Sequence, residues 1–140
     1  MNYIFIPGNV PSSKNSKTWT GRFLVSSKAC QHYERDTKDY WKVMINEFLA
    51  MFFTKGQKSV KVGMYFVRKS KHRFDYINAC QIIADLMTTN DWIEDDSAEF
   101  FTPVFLGFHH DTKNSGVYLV KLPNDLKMDE ITRSLVSEIK

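Results

Sequence analysis

The chain has 140 residues, of which 43% are hydrophobic and 14% aromatic, and a formal charge of +3; this suits one globular domain with a sizeable core and excludes a disordered or fibrous chain. Cys30 and Cys80 form no CxxC pair and no metal-ligand spacing, so they read as buried thiols of a reducing compartment. No secretory leader opens the sequence, and the longest apolar stretch, Phe48 to Phe53, is far too short to span a bilayer, so a soluble, cytoplasmic protein without a membrane partner is expected.

Asn2 to Pro7 is a short apolar run that predicts a first strand. The following stretch, Gly8 to Arg22, is rich in Gly, Pro, Ser and Asn and reads as a long loop. Phe23 to Val25 can add a brief strand, and Ser26 or Ser27 can cap a long helix. Within that helix Tyr33, Thr37, Tyr40, Trp41, Met44, Phe48 and Phe52 recur at helical spacing, and Gly56 ends it. Val60 to Val67 alternates as a strand with Lys61 outward. Asp75 to Met87 predicts a second helix with a core stripe of Ala79, Ile82, Ile83 and Leu86. Phe100 to Phe108 and Val117 to Leu122 read as two further strands, and the Asn-Ser-Gly between them reads as a hairpin turn. The tail, 123–140, supplies a third helix with Met128, Ile131, Leu135 and Ile139 on one side. Strands and helices in this order predict an α+β domain over 1–122 with a small mixed or antiparallel sheet.

The modest net charge conceals a strong segregation. Residues 1–33 contain Lys14, Lys17, Arg22 and Lys28 and no acid. From Lys55 to Arg73 every charged residue is basic, and from Asp75 to Glu99 every one is acidic. Basic surfaces beside a carboxylate cluster suit a polyanion held next to a metal ion, where chance clustering on a solvated surface is the ordinary alternative. Asp75 opens the second helix, where its ordinary role is to cap backbone N–H groups, and Asn78 lies one turn on. Glu94, Asp95 and Asp96 are consecutive, and like charges so close repel unless a cation offsets them. Oxygen-only ligands of this kind suit Mg²⁺ or Mn²⁺. Lys14, Asn15, Lys17 and Arg22 offer phosphate contacts around Trp19, and Lys69, Lys71 and Arg73 lead straight into Asp75. His109-His110-Asp111 could ligate a metal, although adjacent histidines in a connector are more often just exposed.

Four stretches together resemble the RusA family of Holliday junction resolvases. They are Pro11-Ser12 through Asn15, Ser27 leading to Tyr33, Arg73-Phe74-Asp75-Tyr76-Ile77-Asn78 with Asp85-Leu86, and Trp92-Ile93-Glu94-Asp95-Asp96. The resemblance covers about residues 4–122, so the tail lies outside it. It implies a compact α+β homodimer with an acidic Mg²⁺ site in each subunit and paired nicks across a four-way DNA junction, as in phage recombination and repair enzymes. Asp75 matches the first essential acid of that family and Asp96 the last. Ile77 stands where the second acid belongs, and Gln81 where a catalytic lysine is expected. The implied metal site is therefore Asp75 and Asp96, completed by Asn78, Asp95 or Glu94. About ten residues of helix set Asp85 ~15 Å along the axis from Asp75, too far for the same ion. Two other readings stand beside the resolvase: a branched-DNA-binding protein that has lost catalysis at Ile77 and Gln81, and a metal-dependent nuclease for other branched DNA.

Overall fold

The computed structural model describes residues 2–12, 17–19, 24–122 and 128–139, with the backbone alone for 17–19, 24–26, 128, 129, 131 and 132. Its main sheet has four strands: β1 (Tyr3–Pro7), β4 (Val60–Arg68), β5 (Phe101–His110) and β6 (Gly116–Lys121), in the order β1-β6-β4-β5. β6 runs antiparallel to both β1 and β4, whereas β5 runs parallel to β4. The sheet is mixed and the class is α+β, as the sequence predicts.

Two readings of the connections are corrected. Lys17–Trp19, inside the expected loop, is a strand, β2, paired antiparallel with β3 (Leu24–Ser26); three residues are too few to show a period-2 signal. The segment between β5 and β6 is not a hairpin, because β4 lies between those strands and the connection must pass over its end. The Asp111 amide there donates to the Arg68 carbonyl at the end of β4.

The expected long helix is two helices, α1 (Lys28–Val43) and α2 (Ile45–Phe52). Ser27 caps the first, its hydroxyl accepting from the Cys30 amide at 3.2 Å. The break falls at Met44, whose φ of −86° and ψ of −2° lie in the bridge region. Trp41 and Phe48, on either side of it, both pack on Trp92, with ring centroids 4.9 Å and 4.7 Å away. α2 ends at Phe52, ahead of Gly56.

α3 (Tyr76–Thr89) buries Ala79, Ile82, Ile83 and Leu86 as its periodicity predicts. The helices meet the sheet face formed by Ile4, Ile6, Met64, Phe66, Val117 and Leu119, all buried. The opposite face carries a row of rings, Tyr3, Phe5, Tyr118 and Tyr65. α4 (Met128–Ile139) leaves Leu135, Val136 and Ile139 exposed.

Candidate functional site

Parallel strands need a crossover, and here it is α3, between β4 and β5. That topology accounts for the segregated charge. The bases of 69–73 lie in the connection from β4 into α3, and the acids of 91–99 lie in the connection from α3 back to β5.

The basic connection is fastened at its root. Arg68 is buried; its guanidinium donates to the Val10 carbonyl and to the Ser12 hydroxyl, and it lies 4.5 Å over the Phe74 ring. Burial lowers its pKa from the ordinary value, and its Nε has no partner among the described residues. The Lys69 amide donates to the Asn9 side chain at 2.9 Å, and the His110 ring meets the Lys69 carbonyl at 3.1 Å. Beyond these ties Lys69, Lys71 and Arg73 are exposed. Arg68, the base just before this connection, is thus a structural residue. Lys14, Asn15 and Arg22 lie outside the described residues, and Lys17 is described by its backbone alone.

Asp75 occupies the N-cap position of α3, half-buried, yet its carboxylate makes no cap hydrogen bond. Its carbonyl accepts from the Asn78 and Ala79 amides and starts the helix by main-chain contacts alone. The capping role is therefore not what the Asp75 carboxylate does, and it stays available to a ligand.

At the other end, the chain reverses. Asp91 has a φ of 63°, a left-handed conformation tolerated by Asp. Trp92 and Ile93 then plunge into the core, where the Trp92 indole donates to the Trp41 carbonyl at 2.7 Å. The segment from Asp91 to Phe100 consists of turns and bends, so strand alternation of Glu94 with Asp96 does not apply. Glu94 borders a hollow with Phe53, Gln57 and Lys58, whereas Asp96 borders a different one beside α3. Asp95 is exposed.

Asp96 doubles back to the middle of α3. The Gln81 side-chain amide donates both to Asp96 at 3.0 Å and to Asp85 at 2.8 Å. Gln81 holds two carboxylates together with one neutral NH₂ group, where a lysine would hold them with a full charge. Ile77 is one turn earlier on the same side and lines a hollow of about 230 Å³ with Gln81 and Asp96. Asp85 and Gln81 are the site residues that sequence reasoning underrated. Asp85 is far from Asp75, as its helical separation requires, but the acid it meets is Asp96. The i,i+4 spacing of Gln81 and Asp85 was the available signal.

Among the described residues, no three His, Cys, Asp or Glu side chains form a group able to hold a metal ion. The oxygen donors of Asp75, Asn78 and Asp96 suit Mg²⁺ or Mn²⁺ in kind, but Asp96 is drawn to the Gln81 amide that it shares with Asp85, and among the described residues no hydrogen bond joins it to Asp75. His109 and His110 are exposed and engaged elsewhere, His109 with the Tyr65 hydroxyl at 2.8 Å. Asp111 accepts from Lys113 and Asn114, which hold its carboxyl below the usual range. That is a turn, not a ligand set.

No protein-family model matches the chain, and no curated protein matches it. The likeness to the RusA resolvases accordingly rests on the quoted motifs.

Proposed function

We propose that the protein is a divalent-metal-dependent endonuclease that nicks branched DNA, four-way junctions above all, in recombination, repair or phage DNA processing. The observation that carries this reading is the return of Asp96 to α3. One helix is entered from a connection of exposed bases and is met at its middle by a carboxylate from a connection of acids. A DNA backbone gripped by Lys69, Lys71 and Arg73 would run past the uncapped Asp75 towards Asp96, with affinity coming from phosphates and little from base edges.

Asp75 and Asp96 would hold Mg²⁺ or Mn²⁺ once Asp96 leaves the Gln81 amide that it shares with Asp85, with Asn78 and Asp95 as the nearest further oxygen donors in sequence. Such an ion, when bound, lowers the pKa of a coordinated water and offsets charge on the scissile phosphate. The protein's own part is positional. Trp92 and Ile93 anchor the acidic connection, and Gln81 keeps Asp96 turned onto the helix. Two coordinated incisions require two sites, and each chain carries one acidic connection, so the working form would be a homodimer. Trp41, Phe48 and Phe52 of α1 and α2 are consumed by the chain's own core, and the exposed Leu135, Val136 and Ile139 of α4 are an interface candidate.

A synthetic four-way junction incubated with and without Mg²⁺ tests the reading. Symmetric nicks dependent on the metal support it, and cleavage of flaps alone would move the substrate to other branched DNA. A second reading, a branched-DNA binder without catalysis, draws on the lack of a three-ligand acidic group among the described residues and on the neutral Gln81 between Asp85 and Asp96. A mobility shift without nicks at any metal concentration would favour it.

A further inference from the structure

β5 is an edge strand, and its core-side face continues past the covering helices into solvent. Phe105 and Phe108 are 39% and 55% exposed there, and Tyr76 at the start of α3 is 39% exposed. These rings form a row. Tyr76 stacks on Phe105 with centroids 4.3 Å apart and planes at 29°. Phe108 lies 5.1 Å from Phe74, which in turn carries the Arg68 guanidinium. At one end the row opens into the hollow beside Ile77, Gln81 and Asp96, and at the other it reaches the exposed bases of 69–73. Soluble proteins do not leave several adjacent large rings in water without a use for them.

The strand is poorly suited to pairing with a second copy. Pro103 removes a donor, and a bulge at Leu106–Gly107 breaks the register with β4. Gly107 has a φ of +132°, and a Cβ there would meet the Tyr65 ring at 3.2 Å, so the bulge is specified by its glycine. Rings in a row beside a cationic tract suit unstacked nucleotides, because every base offers a π-face and the bases' backbone is anionic. The hollow of about 230 Å³ is smaller than a typical small-molecule site and has room for one planar ring system. Its polar rim is acceptor-rich: both N–H groups of Gln81 are directed at carboxylates, which leaves its oxygen and those of Asp96 to face an incoming edge.

We propose that the strip from Phe108 through Phe105 and Tyr76 into the hollow at Gln81 is a stacking platform for unpaired DNA bases at a branch point. The innermost base sits in the hollow, with an amino-bearing base preferred over thymine. This rests on the branched-DNA reading above, and it adds that the protein binds opened strands, not only phosphates.

The test uses the intact protein without divalent metal, and a junction carrying 2-aminopurine at its branch point. The wild-type protein should quench the probe on binding, and Tyr76→Phe, which keeps the ring, should quench equally. Tyr76→Ala and Phe108→Ala should each lose the quench and weaken affinity for a short single strand by roughly 5- to 140-fold, the range that ~1–3 kcal/mol per stacked base converts to at 1.4 kcal/mol per decade. Lys69→Ala should weaken duplex and single strand alike and leave the quench at saturation unchanged. Saturating junction with unaltered 2-aminopurine emission would overturn the platform while leaving the nuclease reading in place. An absence of DNA binding by the wild-type protein would remove both. If Phe108→Ala instead converted a dimer to a monomer in sedimentation and kept its single-strand affinity, the strip would be a subunit interface and the proposal would fail.

Discussion

At the scale of single residues, the candidate site depends on what stands at positions 75, 77, 81 and 96. Removing a carboxylate near DNA lowers repulsion, so Asp75→Asn and Asp96→Asn should each abolish nicking and leave junction affinity equal or improved; wild-type cutting by Asp75→Asn, measured on the same junction, would displace the metal from that residue. Ile77 is 67% exposed and shares its hollow with Asp96, so a carboxylate placed there costs little in stability and faces the site. Ile77→Asp should therefore lower the Mg²⁺ concentration needed for half-maximal nicking, and a titration of both proteins gives the answer directly. Arg68 makes the opposite case. Its charged hydrogen bond to Val10 is buried and that to Ser12 partly so, and Arg68→Ala should destabilise the fold by about 1.5–3 kcal/mol in urea denaturation.

At the scale of elements, legibility followed the length of the pattern. α3 was readable because Ala79, Ile82, Ile83 and Leu86 repeat over two turns, and β4 because nine residues sit between clear breaks. β2 was not, having three residues, and the break at Met44 has no Gly or Pro to announce it. The sheet order was also beyond the sequence, since nothing local reveals that β4 inserts between β5 and β6. In the candidate site, the charge segregation was plain, but the contact of Asp96 with Gln81 depends on how Trp92 and Ile93 anchor a reversal. That anchor makes an element-level prediction. Trp92→Ala removes two ring contacts and the bond to the Trp41 carbonyl, and should cost about 3–5 kcal/mol. Nicking by any folded fraction should fall as well, because Asp95 and Asp96 lose their footing.

For the molecule as a whole, pH exposes the buried ionisable groups. Burial pushes the Cys80 thiol up to about 11 and the Tyr33 hydroxyl up as well. Each is neutral when protonated, and each holds its proton more tightly folded than unfolded. The sign follows: their contribution is complete below about pH 9, the ordinary thiol value, and is lost as pH rises through the folded value. Thermal denaturation should show stability falling between about pH 9 and 11, and Cys80 should resist alkylation by iodoacetamide at neutral pH. The assembly state is a separate expectation of the same scale. Sedimentation at micromolar concentration with junction DNA present should give a dimer, and a 16.4 kDa species alone would count heavily against paired incision.

The sheet joins near its beginning what the chain makes near its end. β1 has one partner, β6, and the register sets Tyr3 against Val120 and Pro7 against Gly116. Closing that pair means bridging more than a hundred residues, so its entropy cost is met only after β4 and its neighbours have formed. Of the four strands of the sheet β1 is made earliest and waits longest, its backbone edge without a pairing partner until residue 121 is out. A chain truncated before Gly116 should accordingly aggregate instead of folding to a smaller stable unit. A circular permutant that omits the tail, joins β6 to β1 by a short linker and opens the chain elsewhere should refold faster than the equally shortened parent.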